Sequence, residues 1–205
     1  DNIRYFNYQP DQSIKILVVD GDPKTVEHQS ETFYLERALS PFAVSLSNIE
    51  PTLSTPAELP ARNLFDYSVV MLCNVRNLPF GYEQELENFI IRGGALFVTL
   101  GDQIDAKFYN ERLGNILPVY LKTLYQVVRK EEPFHFFIKP SKHQVLKVFK
   151  GQTLEEMKSI RFNSFYSTEP REESNFSTPM IFNNKFPALI ESKIGKGKVI
   201  LFVSS

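Results

Sequence analysis

The chain of 205 residues sets 23 Lys and Arg against 24 Asp and Glu, and 42% of its residues are apolar. That length and apolar share build an ordinary core without staples, and the near-zero net charge removes the global field that would draw nucleic acid or an anionic membrane surface. The single cysteine, Cys73, excludes an internal disulfide and a cysteine-rich zinc site and leaves the compartment open. No apolar run reaches the roughly 18 residues of a membrane span, and the N-terminus has no basic segment followed by an apolar signal core. The sequence begins at Asp1 without Met and stops at Ser205, directly after the apolar run Val199 to Val203. It therefore reads as a piece of a longer protein whose targeting or membrane segments lie outside it.

Asp1 to Gln12 reads as a lead-in: DNIRYF as an edge strand, then the loop-like NYQPDQ. Ile14 to Val19 is a run of β-formers ending in Asp20-Gly21-Asp22-Pro23, a strand-to-turn signature. Thr25 is expected to cap a helix through Leu39, with Val26, Ser30, Phe33, Tyr34 and Ala38 at helical spacing. Ala43 to Ile49 alternates as a second strand, and Pro51 to Pro60 reads as a loop. Tyr67 to Val75 is a third, buried strand. Tyr82, Leu86, Phe89 and Ile90 form one apolar stripe of a second helix. Gly93-Gly94 closes that helix and opens the strand Ala95 to Leu100, which runs into Gly101-Asp102.

Strand, helix, strand, strand, helix, strand predicts a doubly wound parallel sheet. Beyond Asp105 the pattern loosens: FYNERLGNIL suggests a short helix, YLKTLYQVVRK and FHFFIKP suggest strands, His143 to Phe149 a helical turn, and Ser159 to Tyr166 another strand. Ala188 to Ile194 and Lys198 to Val203 are strands joined by the hairpin turn Gly195-Lys196-Gly197.

In an open α/β sheet, ligands gather at the carboxyl ends of the strands. Asp20, Asp22, Asn74 and Asp102 all fall there, and oxygen ligands so gathered could hold Mg²⁺ or Ca²⁺. The ordinary alternative is that Asp and Asn beside Gly and Pro form turns and cap helices. Asp20-Gly21-Asp22 and Gly101-Asp102 with Asp105 also fit in outline the haloacid-dehalogenase-like phosphatases. In those enzymes the first Asp attacks phosphorus, the second serves as acid and base, and late acids hold Mg²⁺. Thr25 lies one residue too late for that pattern, and Cys73-Asn74 stands where Ser or Thr then Asn would bind phosphate. Cys73 lies inside an apolar strand, as an inert buried thiol does, and none of His28, His135 or His143 has a Glu two residues on. The GKGK turn joins two strands, unlike a phosphate loop. Eighteen Phe and nine Tyr are mostly core, with aromatic surface patches for a partner as the alternative.

Taken together, ILVVDGDP, SETFYLERAL, VVMLCNV, FIIRGGALFVTLGDQIDAKFYN with ILPV after it, and PALIESKIGKGKVILF resemble one known arrangement. It is the class I glutamine amidotransferase-like domain of BatA-type (aerotolerance operon) bacterial membrane proteins, and the likeness runs through nearly the whole chain. DNIRYF is similar to the closing strand of the β-rich domain that precedes this module. The resemblance implies a flavodoxin-like α/β fold, mainly a parallel sheet with helices on both faces. Residues 1–12 would be a lead-in and 13–205 a single domain with an irregular insertion around 119–186.

It further implies a protein anchored by membrane helices outside this chain, with the soluble part on the periplasmic side, and partners of the von Willebrand factor A and MoxR-type ATPase kinds. Amidotransferases of the class carry Cys at the elbow after the strand matching Ala95 to Leu100, and a late His-x-Glu. Here the elbow is Gly101-Asp102 and no His-x-Glu exists. The expectation is a non-catalytic interaction or ligand-binding module, without cofactor or metal, with Asp20, Asp22, Asn74 and Asp102 as candidate ligand-binding residues. The alternative is a metal-dependent phosphohydrolase using Asp20, Asp22 and Asp102.

Overall fold

The computed structural model describes residues 13–40, 48–128, 131–137, 143–147, 149 and 151–204. The expected lead-in at 1–12 and most of the expected strand at 43–49 lie outside them. Strand β1 (Ile14–Asp20) is the buried run read from the sequence, and its Leu17, Val18 and Val19 are fully enclosed. Helix α1 spans Glu31–Leu39 with its cap position at Ser30, about five residues later than the Thr25 cap predicts. Its true inner stripe is Thr32, Leu35 and Leu39, while Val26, Tyr34 and Ala38 face solvent.

Strand β2 (Ile49–Ser54) runs through the segment expected as a loop, and Pro51 is accommodated because β2 is a sheet edge. Next come β3 (Val69–Cys73), α2 (Tyr82–Ile91) and β4 (Ala95–Thr99), close to their expected bounds. Asp105 caps α3 (Ala106–Arg112) by accepting from the Lys107 and Phe108 amides. Then follow β5 (Val119–Gln126), β6 (Phe134–Phe137), α4 (Gln152–Ser159), β7 (Arg161–Phe162), β8 (Ser164–Pro170) and β9 (Phe176–Phe182). The hairpin β10 (Pro187–Ile194) and β11 (Gly197–Phe202) completes the order.

The expected flavodoxin-like, amidotransferase-like parallel sheet with helices on both faces is corrected by the pairing. The main sheet is mixed and nine-stranded, in the order β2-β1-β3-β4-β11-β10-β9-β6-β7. The neighbours from β2 to β11 are parallel, and those from β11 to β7 are antiparallel. The physical reason is connectivity. A parallel pair needs a crossover of about a dozen residues or more, and α1 and α2 supply one each. The tight turn into β11 reverses the chain, so β10 and the strands beyond it pair antiparallel. β5 and β8 form a separate antiparallel ribbon. Among the described residues no helix is long and apolar enough to cross a membrane.

Ile16, Val18, Met71 and Cys73 pack on one side of β1 and β3 with Leu35 and Leu39 of α1. The opposite side joins the large core holding Leu86, Phe89 and Ile90 of α2. The antiparallel half is held by aromatic packing: Phe182, fully buried, contacts the rings of Phe134, Phe136, Phe162 and Phe165 at centroid distances of 6.4, 6.0, 5.4 and 4.8 Å. Phe182→Ala is expected to destabilise the protein by about 3–5 kcal/mol, by lost burial plus the cavity left behind. Urea unfolding measures it, and a loss under about 1 kcal/mol would show that the cluster collapses around the gap.

Candidate functional site

The carboxyl ends of β1, β3 and β4 do bring the sequence-selected residues to one edge. Asp20 ends β1, nine-tenths buried, and one of its carboxylate oxygens accepts from the Ser30 hydroxyl at 2.5 Å and from the Thr32 hydroxyl at 2.6 Å. Its other oxygen accepts from the Asp22 amide at 3.0 Å. This explains the late start of α1: Ser30 stands at the cap position, but its hydroxyl is turned to Asp20 rather than to the helix. Asp22 is drawn outward into an ion pair with Lys24 at 2.5 Å, which holds the ammonium above its usual pKa.

Asn74, following β3, is 1% exposed and sits in the left-handed region at φ 51°. Its side-chain amide donates to Asp102 Oδ1 at 2.9 Å and to Glu31 Oε1 at 3.2 Å, and its carbonyl oxygen accepts from the Gln103 amide at 2.9 Å. Every capacity of that buried amide but one lone pair is used. Asp102 is exposed, and the hydrogen bond from Asn74 holds its carboxyl below the ordinary range, with the Lys24 charge acting in the same sense.

Two glycines permit the arrangement. A Cβ on Gly101 would stand 2.3 Å from Asn74 Cγ, and one on Gly21 would stand 2.1 Å from the Asn74 backbone carbonyl oxygen. Gly101-Asp102 thus follows β4 as a turn, with Asn74 filling the space beside it. Cys73 is 3% exposed, and burial pushes its thiol up to about 12, so no thiolate is available at neutral pH. Among the described residues no three His, Cys, Asp or Glu side chains form a group that could hold a metal ion. Asp20 is turned to the α1 hydroxyls, whereas Asp102 is turned to Asn74.

Beside this edge lies a cavity of about 640 Å³ between α1 and β2, closed at one end by Asp20, Pro23, Lys24 and Ser30. Phe33, Glu36, Arg37 and Ser40 line it from α1, at i, i+3, i+4 and i+7, and Ile49, Glu50, Pro51 and Leu53 from β2. Sequence reading placed Asp20 and Asp22 ahead of a helix and Ser30 at a helical position within it, but did not select Lys24, Ser30, Glu31, Thr32 or the β2 wall for the site. The available signal was the run Ser30-Glu31-Thr32, a cap signature that Thr25 overshadowed.

No protein-family model matches the chain, and no curated protein matches it in sequence. Solved structures do match in fold. The cytoplasmic protein STM3548 from Salmonella typhimurium is 12% identical, with 94% of this chain and 87% of that chain covered at a TM-score of 0.68. A protein described as ThuA-like from Bacteroides uniformis is 12% identical, with 96% and 84% covered at 0.62. A β-galactosidase from Rahnella sp. R3 is 10% identical, with 94% of this chain but 29% of that chain covered at 0.62. At these identities the likeness is one of fold alone: the mixed sheet is similar to that of ThuA-like proteins.

Gly101→Ala is expected to cost about 1–3 kcal/mol through overpacking against the Asn74 amide. Coupling to Asn74→Gly, which removes that amide, should make the double variant more stable than the sum of the two losses, read by urea unfolding. Asp102 gives a pH signature. Its folded-state pKa lies below the unfolded value of 3.8, so its contribution is fully present above that pH and is lost as pH falls through the folded value. The stability gap between the protein and Asp102→Asn should therefore shrink on acidification below about pH 4; a pH-independent gap would contradict the assignment.

Proposed function

We propose that the chain is a non-catalytic ligand-binding or interaction module. One observation carries this reading: the position where an α/β sheet presents its nucleophile holds Gly101 and an Asp102 tied to Asn74, while a cavity of ligand size opens beside it. The four selected residues are then positioning groups. Asp20 pins α1, Asp22 neutralises Lys24, and Asn74 with Asp102 fixes the elbow. A haloacid-dehalogenase-like mechanism needs Asp20 facing a phosphoryl group and sharing Mg²⁺ with Asp102, and the saturation of Asp20 by its own chain weighs against it.

The wider setting follows from the sequence resemblance alone. The module would belong to a bacterial envelope protein anchored by segments outside this chain, on the periplasmic side of the inner membrane. Its partners would be von Willebrand factor A-type and MoxR-type ATPase proteins.

The protein is expected to release no ammonia from glutamine above background and to show no Mg²⁺-dependent cleavage of p-nitrophenyl phosphate. Turnover that disappears in Asp20→Asn would sink the non-catalytic reading. A small molecule bound in the cavity should raise Tm by about 5–10 °C at about 100 times its Kd.

A further inference from the structure

We infer that the strip of sheet beside α1, on the side away from the cavity, is a docking surface for one amphipathic helix of a partner protein, laid antiparallel to β4. The inference rests on the interaction-module reading above and names the kind of partner. β4 pairs parallel with both of its neighbours, β3 and β11, and a strand so placed is ordinarily covered on both faces. Here the second face is only partly covered. Leu96 and Val98 are enclosed on the side of α2, whereas Ala95, Phe97 and Thr99 are partly exposed on the side of α1. β11 alternates in the same way, with Val199 and Leu201 enclosed and Ile200 partly exposed beside Phe97.

The strip has the width of one helix. α1 lies over Ile16 and Val18 of β1 and Met71 and Cys73 of β3. The centre of the β4–β11 pair is two strand spacings away, about 10 Å, which is the separation of packed helices. Five residues of β4 span about 16 Å, the length of a helix of about three turns. On the far side the strip is closed by the rings of Phe136 and Phe162 against Phe202 and by His143 against Glu191. α1 supplies the near wall. Its Thr32, Leu35 and Leu39 face the sheet and its Phe33, Glu36, Arg37 and Ser40 face the cavity, so helical spacing leaves Glu31, Tyr34 and Ala38 on the flank toward β4. Glu31 shows that direction by accepting from Asn74, which follows β3. Tyr34, 64% exposed, and Ala38, also exposed, stand one turn apart and make an apolar ridge beside the apolar floor.

The charges at the two ends favour a helix and set its direction. At the carboxyl edge Asp102 and Glu31 are both exposed and share the Asn74 amide, with Lys24 and Asp22 beside them as one ion pair. At the other end Lys193 and Lys198 stand opposite each other on β10 and β11, on the face that carries Ile200. Lys198 is paired with Glu191, and Lys193 has no ion pair among the described residues. A helix running antiparallel to β4 sets its positive N-terminal end over Asp102 and Glu31 and its negative C-terminal end over Lys193. The reverse direction opposes the charges at both ends, and a docked sheet has too small a net dipole to match them.

The test is fluorescence anisotropy at low salt with two labelled peptides of about 14 residues, each locked as a helix by a hydrocarbon staple and carrying Leu and Ala along one face. One has two Lys in its first turn and two Glu in its last, and the other has these charges exchanged. The first is expected to bind at least about tenfold more tightly than the second. Lys193→Glu should weaken the first by about fivefold, and Ala38→Glu should weaken both by about tenfold or more by placing a charge on the wall. Both positions are exposed, so the urea midpoint should stay nearly unchanged. Equal affinity of the two peptides overturns the assigned direction and with it the proposal. Affinities unchanged in Ala38→Glu overturn the strip as the site, as does no binding by either peptide at about 100 µM. A dimer of the chain alone that Ala38→Glu dissociates, measured by light scattering, gives the strip to a second copy and overturns the partner helix. The non-catalytic reading is decided separately, by the glutamine and p-nitrophenyl phosphate assays.

Discussion

The carboxyl edge of this sheet depends on one buried amide. Asn74 leaves β3 in a left-handed conformation that Asn tolerates better than most residues, and its side chain then lies where three segments meet. Through it, the helix start at Glu31, the elbow at Asp102 and the backbone of Gln103 are tied to β3. Gly21 and Gly101 are the counterpart of that constraint, since each passes within contact distance of Asn74 where a Cβ has no room. An unpaired amide in such a place would cost about 1–3 kcal/mol, so the loops are held in register by the need to satisfy it. The result is an edge whose polar groups are directed at one another.

A second constraint sits at β11, which pairs parallel with β4 and antiparallel with β10 and so joins two halves with different logic. In the parallel half the crossover helices cover the strands. The other half relies on hairpins and on rings packed around Phe182. Gly197, at the start of β11, comes so close to the Ile90 and Gly94 carbonyls that a Cβ would stand 2.2 and 2.3 Å from them. The junction is thus set by backbone approach to the end of α2 rather than by any side chain at that point.

These two constraints explain what could be read from the sequence. Buried runs such as Ile14 to Val19 and Ala95 to Leu100 declare themselves because both faces are apolar, and the Tyr82 to Ile90 stripe because it has one clear period. The convergence of Asp20, Asp22, Asn74 and Asp102 was legible from strand ends alone. The mixed sheet was not, because residues 119–186 contain short strands whose partners are distant in sequence, and local periodicity carries no pairing information. β2 escaped because Pro51 and Pro60 signal a loop, and only an edge position makes a strand with Pro51 acceptable. The helix start escaped because Ser30 and Thr32 serve Asp20, a contact across ten and twelve residues that no capping rule contains.

The same contact relates the closed elbow to the open cavity. Asp20 ends the strand beside β2, and Ser30 and Thr32 begin the helix that forms the opposite wall. Both hydroxyls converge on one carboxylate oxygen and lie 2.9 Å from each other, so the separation of α1 from the sheet at that end is fixed by hydrogen bonds rather than by apolar filling. Farther along, Leu35 and Leu39 hold the helix against Ile16, Val18 and Ile49. The space between Phe33, Glu36 and the β2 wall is thus bounded by a polar clamp at one end and an apolar contact along its floor. A wall so fixed keeps its shape before any ligand arrives, which lowers the ordering cost of binding. The acidic strand end that suggests catalysis in the sequence acts in the fold as the clamp that sets the shape of the cavity.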